Sequence, residues 1–441
     1  MELKLRDYQQ KHLGKAMELP RCLDYSEPST GKTAPALVKA LAMNRGSGIK
    51  TVMLSPSGIM VKNYDEAIAW GFSEEECGLV VGTPEKRKKV YNDDRVQIFF
   101  MTYQCFSKEW KLLPKEVDLI IADESHTAWS THSSATTQNM YMASRRFKHF
   151  HLMTGTPITS RLDSIYPFFA IACPRAYGTH EVFMKYHGVF DTFGNIQGWK
   201  NHDKIIKLLS HFGFGITIAK AYPNLVENQV FFQRALLDEH QAKKYIEFEK
   251  EALVEMDLED KFLESPNNAV KTLYCRMILS SPKHVGISVP QLGKIEALRE
   301  HLHESDEQVV VFTVFDEEMD EVEELCKAEG ISYTKINGSM NPKKKGLASK
   351  EFEDGNVRVM IASVKCCGFG FNWQNAGRLV FMSTTYDYHD LKQCILRGNR
   401  GSRKTPLKVY ILHYGTKVEK RVFSLIKRKE GNSGKIMQNV P

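Results

Sequence analysis

Two short segments of the sequence carry side chains suited to phosphate chemistry. The first is YSEPSTGKT at 25–33, whose last three letters are the ending of a phosphate-binding loop. In such a loop the backbone N–H groups face the phosphates, the lysine contacts the β- and γ-phosphates, and the threonine hydroxyl ligates Mg²⁺. The segment departs from the common pattern, because Ser26 stands where the first glycine is usual and Ser29 lies inside the loop.

The second segment is LIIADESHTAW at 119–129, in which an apolar run ends at Asp123 and Glu124. Ligands of open parallel sheets bind beyond the carboxyl ends of the strands, which is where this acidic pair would lie. We expect Asp123 to hold Mg²⁺ and Glu124 to orient and deprotonate an attacking water. An acidic pair solvated at a strand end is the alternative, but a GKT loop about 90 residues upstream favours the chemical interpretation.

The elements around these segments predict how they are positioned. A strand-like RCLDY at 21–25 precedes the loop and a helical pattern at 32–44 follows it, with Pro35 in the first turn, where its missing N–H costs nothing. Apolar runs at 51–54, 96–102, 117–122 and 151–153 alternate with helical patterns. This alternation predicts a parallel sheet covered by helices.

The last 150 residues repeat the same alternation and indicate a second sheet. Its strand-like runs lie at 309–315, 331–336, 357–363, 378–383 and 407–414.

The middle of the chain has a charged helical stretch at 236–264 and no clear strand pattern. We therefore predict an α/β fold of two parallel-sheet lobes, at 1–165 and 291–441, with a mostly helical insertion or linker at 166–290.

Composition and charge limit the class of protein. Hydrophobic residues make up 42% of the chain and charged residues 26%, as in ordinary globular proteins. The charged N-terminus, the lack of a long apolar run and nine cysteines without a CxxC pair favour a reduced, intracellular protein. From residue 331 onward there are 21 Lys and Arg against 7 Asp and Glu, whereas the first 330 residues carry 39 against 46. This basic last part suggests a polyanionic partner, most simply nucleic acid.

The ordered series of motifs resembles a helicase superfamily 2 motor, and most closely its Swi/Snf-type branch. In chain order the matching segments are LRDYQ (5–9), STGKT (29–33), LSPSGIMVKNY (54–64), FMTYQCFS (100–107), DESH (123–126), LMTGTPI (152–158), VVVFTVF (309–315), INGSM (336–340), SVKCCGFGFNW (363–373) and QCILRGNR (393–400). The match extends from about residue 3 to about residue 425. Two departures are Ser29, where a glycine is common, and Leu396, where a small or acidic residue is usual.

The resemblance implies two RecA-like lobes with ATP and Mg²⁺ as cofactors, and it assigns a role to each matching residue. The catalytic residues would be Lys32, Glu124, Arg397 and Arg400, the two arginines stabilising charge on the transferred phosphoryl group. ATP would be bound by Arg6, Gln9, Ser26, Glu27, Pro28, Ser29, Thr30, Gly31, Lys32, Thr33, Gly370 and Gln393. Thr33 and Asp123 would hold the metal. His126, Thr154, Gly155 and Thr156 would couple the nucleotide to lobe closure.

The resemblance also implies a surface for nucleic acid. Small hydroxyl and N–H groups bind the sugar–phosphate backbone without reading sequence. By position in the motifs these groups belong to Ser55, Pro56, Thr102, Tyr103, Thr313, Gly338, Ser339 and Asn372.

The TGTP form of the third motif and DESH are similar to Swi/Snf-type DNA translocases, so we expect double-stranded, forked or branched DNA as the partner. A compact motor of this type resembles phage or bacterial enzymes of branch migration. We expect it to work in the cytoplasm, as a monomer or weak oligomer and without a membrane.

Three other functions stay open at this point. The chain could be an RNA helicase or RNA-stimulated ATPase, or a scaffold that binds nucleotide and nucleic acid without hydrolysis, which the serines of the loop would allow. The third, a motor subunit of a restriction enzyme, would need a partner nuclease, and we find no convincing nuclease motif in this chain.

Overall fold

The computed structural model describes residues 3–159, 161–256, 266–289, 291–399 and 403–438. These residues divide into two compact units, the first within 1–223 and 431–441 and the second within 224–430. No described helix is both long enough and apolar enough to cross a membrane. The cysteines that the structure describes carry free thiols.

The first unit is built on a seven-stranded parallel sheet with the order β3-β4-β2-β5-β6-β1-β9. Its strands are β1 (Arg21–Asp24), β2 (Lys50–Ser55), β3 (Cys77–Leu79), β4 (Ile98–Thr102), β5 (Val117–Ala122), β6 (His149–Met153) and β9 (Gly213–Phe214). A separate antiparallel hairpin is formed by β7 (Gly188–Phe190) and β8 (Ile196–Trp199).

The helices of the first unit alternate with these strands. They are α1 (Asp7–Glu18), α2 (Thr33–Ser47), α3 (Met60–Ala69), α4 (Pro84–Tyr91), α5 (Tyr103–Glu109), α6 (His126–Trp129), α7 (Ala135–Ala143), α8 (Tyr166–Ala172), α9 (His180–His187), α10 (His202–Phe212) and α11 (Ile218–Ala221). Short 3₁₀ turns lie at Glu74–Glu76, Trp110–Leu112, Leu162–Ile165 and Pro174–Ala176.

The second unit contains a six-stranded parallel sheet with the order β10-β15-β14-β11-β13-β12. Its strands are β10 (Gln229–Arg234), β11 (Val309–Thr313), β12 (Tyr333–Ile336), β13 (Val359–Ser363), β14 (Arg378–Phe381) and β15 (Lys408–His413). Its helices are α12 (Glu239–Met256), α13 (Pro266–Ser280), α14 (Gly293–Glu304), α15 (Asp316–Ala328), α16 (Pro342–Glu353) and α17 (Tyr388–Gly398), and α18 (Lys417–Gln438) begins in this unit. Two 3₁₀ turns lie at Pro282–Val285 and Val364–Phe369.

Both sheets are buried on both faces, which explains the continuous apolar runs of the sequence. In β5, for example, Ile120 packs into one core of the first unit, whereas Leu119 and Ile121 pack into the core on the other face. In β11, Val311 and Phe312 divide between two cores in the same way. Each such side chain contributes about 1.5–3 kcal/mol through burial, so the sheets are the stable frame of each unit.

The structure assigns the middle of the chain differently from the predicted separate segment at 166–290. Residues up to 223 belong to the first unit, where Phe169, Phe183 and Leu209 lie in its main core, and residues from 224 belong to the second unit. The segment also contains four strands in addition to its helices. The sequence pattern did not reveal this division. One reason is that β9 has only two residues and therefore shows no recognisable pattern of apolar and polar positions.

Candidate nucleotide site

The sheet of the first unit places three predicted loops side by side. Strands β5, β6 and β1 are neighbours and run in parallel, so the loops that follow them leave from the same edge. These loops contain the GKT segment, the DESH segment and the TGTP segment. The amide of Thr154 donates to the carbonyl of Asp24 at 3.0 Å, which continues the pairing of β6 and β1 beyond the strands.

The GKT loop has a backbone suited to binding an anion. Ser29 and Gly31 both have positive φ angles, 66° and 75°, and backbone of this kind turns N–H groups toward a common concavity. Lys32 is only 8% exposed. Its ammonium donates to the carbonyls of Ser26 at 2.9 Å and Glu27 at 3.4 Å, so it lies folded over its own loop.

Gln9 lies against this loop and Arg6 contacts Gln9, while the contact of both residues with the nucleotide stays a prediction. The amide group of Gln9 donates to the carbonyl of Gly31 at 3.0 Å and accepts from the amide of Arg6 at 2.9 Å. The positive φ of 75° favours glycine at position 31, and a Cβ atom there would also lie 2.8 Å from the end of the Gln9 side chain, which would have to shift.

Two tyrosines that the sequence did not single out hold the same loop. The hydroxyl of Tyr8 donates to the carbonyl of Thr30 at 2.6 Å, and that of Tyr222 donates to the carbonyl of Ser29 at 3.1 Å. The guanidinium of Arg6 lies 4.7 Å from the centre of the Tyr222 ring. Tyr222 is about 190 residues distant in sequence, and only the pairing of β9 with β1 brings it near.

Ser26 and Glu27 have a supporting role that differs from the predicted contact with ATP. The Ser26 hydroxyl accepts from the amide of Ile216 at 3.2 Å, and the Glu27 carboxylate accepts from the amide of Ile218 at 2.7 Å. Their side chains therefore fix the segment after β9 against the loop. That both residues also contact ATP stays a prediction.

Asp123 and Glu124 form a buried acidic pair next to the loop. The Asp123 carboxylate accepts from the Asn63 side chain at 3.1 Å and from the amide of Glu124 at 3.0 Å. Burial, followed by the neighbouring Glu124 charge, raises the pKa of Asp123 to about 6, and the Asn63 hydrogen bond and Lys32 oppose this shift. Glu124 has φ 47°, a strained conformation of the kind that clusters at functional sites.

Asn63 is a further residue of this site that the sequence did not single out, although it lies in a motif segment. It is 2% exposed and shares the buried stripe of α3 with Met60 and Ala67. In the sequence, a polar residue on an otherwise apolar face of this helix was the feature that could have indicated its role. Since α3 follows β2, and β2 is the neighbour of β5, Asn63 faces the loop that carries Asp123.

Hydrogen bonds connect the three loops through the predicted coupling residues. Nδ1 of His126 lies 2.8 Å from the Thr154 hydroxyl and 3.6 Å from the Glu124 carboxylate. The Thr154 hydroxyl also accepts from the amide of Thr156 at 3.0 Å. The DESH and TGTP segments are therefore connected, whereas their role in coupling the nucleotide to lobe closure stays a prediction.

Gly155 has a steric reason to be glycine. A Cβ atom at this position would lie 2.6 Å from Cδ of Pro28, inside the GKT loop. Any larger residue would push the two loops apart.

The oxygen groups present fit Mg²⁺ held jointly by protein and phosphates. Thr33 begins α2 directly after the loop, and Asp123 supplies a buried carboxylate. No group of three or more His, Cys, Asp or Glu suited to a metal occurs among the described residues. Mg²⁺ commonly takes one or two protein ligands together with substrate phosphates, so this donor set is the expected one.

The residues predicted to bind nucleic acid in the first unit fall into two groups. Thr102 is half-buried and caps α5, where its hydroxyl accepts from the amide of Cys105, and Pro56 is also half-buried. Ser55 and Tyr103 are buried. The Tyr103 hydroxyl donates to the carbonyl of Asp123 at 2.5 Å, so its side chain supports the acidic pair, and a contact of this residue with nucleic acid stays a prediction.

The predicted residues of the second unit follow the carboxyl ends of its strands. Thr313 ends β11 and is buried, whereas Gly338 and Ser339 lie in an exposed turn after β12. Gly370 (φ 71°) and the half-buried Asn372 follow β13. One sheet edge therefore collects these positions, as in the first unit.

Helix α17 carries the last predicted residues of the second unit. Gln393 and Arg397 are both buried, and the carbonyl of Arg397 accepts from the amide of Trp373 at 2.9 Å. Arg400 lies outside the described residues, so its predicted role is not tested.

The strain at Ser29 leads to a test of stability. A left-handed conformation costs a non-glycine residue about 1–2 kcal/mol. Replacement by glycine removes this strain, but it also destabilises the folded state by about 0.5–1 kcal/mol because glycine makes the unfolded chain more flexible. We therefore expect Ser29→Gly to raise the temperature of the unfolding transition of the first unit by about 1–4 °C in calorimetry. Ser47→Gly, at an exposed helical position, is the matched control and should lower it. A lower transition temperature for Ser29→Gly would contradict the strain.

The contact between Gly155 and Pro28 predicts an effect on nucleotide binding. Gly155→Ala should weaken binding of a fluorescent ATP analogue at least tenfold, because the added methyl group displaces the GKT loop. Gly46→Ala in α2, where a Cβ meets nothing within 4 Å, should leave the affinity unchanged. Equal affinities of the Gly155 variant and the wild-type chain would show that the loop is held by other contacts.

Comparison with known proteins agrees with this geometry. The family described as DEAD/DEAH box helicase matches residues 6–165, and the helicase conserved C-terminal domain matches 293–402. The chain is 25% identical over 363 residues to an uncharacterized ATP-dependent helicase of Mycoplasma pneumoniae, covering 80% of this chain and 34% of that protein. It is 22% identical over 434 residues to the Chromodomain-helicase-DNA-binding protein 1-like of Danio rerio, covering 91% and 40% respectively. The chain thus spans no more than about two fifths of the length of these relatives.

A solved structure shares the fold. The helicase domain of Hef from Pyrococcus furiosus superposes with a TM-score of 0.56 over 95% of this chain and 98% of that domain, at 18% identity. This likeness agrees with two RecA-like parallel-sheet lobes. Together, the two family matches show that the chain belongs to the superfamily 2 helicases, with a DEAD/DEAH box domain followed by the conserved C-terminal domain.

Proposed function

We propose that this chain is a nucleic-acid-dependent ATPase that couples ATP hydrolysis to movement along DNA. The observation that carries the proposal is the convergence of the GKT, DESH and TGTP loops at one edge of the first sheet, joined by hydrogen bonds. A phosphate cradle beside a carboxylate pair can bind a triphosphate and direct a water at it.

The residues of the site divide the chemistry among them. Lys32 leaves its loop carbonyls to contact the β- and γ-phosphates, while the loop N–H groups hold the remaining oxygens. Glu124 orients the attacking water and accepts its proton. Thr33 and Asp123 would hold Mg²⁺, which would supply positive charge to neutralise the phosphates. Arg397 and Arg400 stay predictions as the residues that stabilise charge on the transferred group.

The same hydrogen bonds offer a way for hydrolysis to change the protein. Glu124 lies 3.6 Å from Nδ1 of His126, which is hydrogen-bonded to the Thr154 hydroxyl, and the Thr154 amide donates to the carbonyl of Asp24 at the end of β1. A change at the γ-phosphate would therefore alter the contacts of the TGTP segment. Coupling between the nucleotide and a nucleic-acid surface requires a link of this kind.

Several features favour DNA as the partner. The last part of the chain is basic, and the zebrafish relative is named as a DNA-binding helicase. Exposed Gly338 and Ser339 offer small groups for backbone phosphates. A preference for forked or branched DNA, and a bacterial or phage-infected cytoplasm as the location, are proposed by analogy alone.

The first test removes the two groups on which hydrolysis depends. Glu124→Gln keeps the size of the side chain but cannot accept a proton, so we expect turnover to fall at least about 10²-fold while nucleotide is still bound. Lys32→Ala should lose both binding and turnover. Exposed Glu116 and Lys115 precede the opposite end of β5, so Glu116→Gln and Lys115→Ala are matched controls that should retain turnover. If wild-type turnover does not exceed that of Glu124→Gln, the chain is a non-hydrolysing scaffold.

The substrate is decided in the same assay by adding plain duplex DNA, forked DNA, single-stranded DNA and RNA. We expect duplex or forked DNA to stimulate hydrolysis most. Displacement of a third strand from a triplex would then detect movement along the duplex. Strongest stimulation by RNA would favour the RNA-dependent alternative.

The raised pKa of Asp123 predicts a pH dependence. Its carboxylate must be ionised to hold Mg²⁺, so at low Mg²⁺ the ATPase rate should fall about tenfold per pH unit below about pH 6. Higher Mg²⁺ should move this fall to lower pH, because metal and proton compete. The same shift favours the folded state at low pH, a contribution that is lost as the pH rises through about 6.

Asn63 tests this assignment. Asn63→Ala removes a hydrogen bond that favours the ionised form, so the acid limb of the pH–rate profile should move to higher pH. Asn139→Ala, which removes a comparable bond to Ser107 on α5, should leave the limb unchanged. Identical acid limbs for Asn63→Ala and the wild-type chain would contradict the role of Asn63.

A further inference from the structure

The β7–β8 hairpin is a feature of the first unit that the nucleotide site does not use. It pairs Gly188 with Trp199 and Phe190 with Ile196, and it joins neither of the two large sheets. A two-stranded hairpin has little stability of its own. Its geometry therefore depends on the contacts at its base and at its tip.

The base is fixed by a buried histidine. His187 is fully buried, and its ring nitrogens lie 2.7 Å from the Tyr177 hydroxyl and 3.0 Å from the carbonyl of Lys200. The amide of Lys200 donates to the carbonyl of His187 at 2.8 Å, and the Asn201 side chain donates to the carbonyl of Tyr186 at 2.6 Å. The two ends of the hairpin are thereby locked to the core.

The tip, DTFGN at 191–195, is organised by one carboxylate. Asp191 accepts from the amides of Phe193 at 2.9 Å and Asn195 at 2.8 Å, and from the side chains of Asn195 at 3.2 Å and Gln197 at 2.9 Å. These bonds lower the pKa of Asp191 to about 2, so the carboxylate is ionised at all physiological pH values. Gly194 supplies the positive φ of 82° that closes the turn.

This rigid tip displays a phenylalanine to solvent. Phe193 is 89% exposed, and Phe190 and Val189 on the adjoining strand are also exposed. The ring of Phe190 lies across Gly188, where a Cβ would meet it at 2.6 Å. An aromatic ring held outward on a fixed backbone gains no burial within the chain, so its surface is available to a partner.

Lysines and aromatic side chains lie together at the base of the hairpin. The ammonium of the half-buried Lys204 lies 4.5 Å from the ring centres of the buried Tyr177 and the exposed Tyr186, and it donates to the carbonyl of Ala176 at 3.4 Å. Lys185 and Lys200 are exposed, as are the acidic Glu181 and Asp203. The one carboxylate of the tip is occupied by its four hydrogen bonds. Aromatic rings interspersed with lysines suit nucleic acid, whose bases stack on the rings while the ammonium groups neutralise phosphates.

We propose that Phe193 stacks on an unpaired nucleobase where a duplex opens, and that the hairpin thereby distinguishes forked DNA from plain duplex. This inference rests on the proposed function, since it presupposes that the chain acts on nucleic acid. The hairpin supplies the separating contact and the nucleotide site supplies the energy. An apolar side chain inserted at a base step is an established way to unstack it.

The experiment uses the full chain with Phe193→Trp and Phe193→Ala. In the tryptophan variant, the extra emission relative to wild type should be quenched by forked DNA with unpaired bases but not by a duplex closed at both ends. Phe193→Ala should bind the fork about tenfold more weakly, as expected for the loss of one stacked base. Its ATPase stimulated by closed duplex should stay within about twofold of wild type.

Two controls separate the contact from general effects. Leu112→Ala removes another exposed apolar side chain of the same unit and should not alter fork binding. Asp191→Asn weakens the acceptor that fixes the tip and should reduce fork binding by an intermediate factor, although the phenylalanine is still present.

The outcomes distinguish this inference from the proposed function. If DNA stimulates the wild-type ATPase but neither quenching nor weaker fork binding is seen, the hairpin inference is overturned and the proposed function stands. If DNA neither binds nor stimulates the wild-type chain, the proposed function itself fails. If the wild-type chain self-associates, and Phe193→Ala does not self-associate but binds the fork as well as wild type, the tip is an interface between copies. That outcome also overturns the inference.

Discussion

The hydrogen bond from the amide of Thr154 to the carbonyl of Asp24 is the contact on which the nucleotide site depends. It extends the pairing of β6 and β1 past the ends of the strands, so the two following loops leave the sheet together. Gly155 can then press against Pro28, and the Thr154 hydroxyl comes within reach of His126. Because β6 also pairs with β5, the acidic pair joins the same edge. The chemistry of the site is thus a consequence of strand order.

The site concentrates features that do not favour folding. Ser29 and Glu124 have left-handed backbone, each at a cost of about 1–3 kcal/mol, and Asp123 is buried with a second carboxylate beside it. The surrounding residues offset this by specific contacts, since Asn63 and Tyr103 hold Asp123 from two sides. Both sheets, packed on two faces, supply the stability that such an arrangement needs.

The sequence was sufficient for most strands of both sheets and for the loops that follow them, but it missed β3, β9 and β10. Apolar runs such as 117–122 and 309–315 are legible because a strand covered on both faces has no polar positions. It was insufficient for contacts made by distant or very short elements. The two-residue strand β9 carries no pattern, yet it determines the role of Ser26, Glu27 and Tyr222. Tyr103 shows the same limit, because its motif position indicated a surface role while the fold turns its ring inward.

The nucleotide loop and the β7–β8 hairpin are ordered by the same kind of hydrogen bond, but the ordered backbone has a different role in each. In each, an aspartate accepts from backbone amides nearby in sequence, as Asp24 does from Ser26 at 2.8 Å and Asp191 from Phe193. At Asp24 the ordered backbone lies beside buried residues and helps to position the nucleotide site of the first unit. At Asp191 the ordered backbone carries an exposed ring. Fixing an exposed side chain costs conformational entropy, and no burial within the chain compensates this cost. The compensating free energy therefore has to come from a partner that covers the ring.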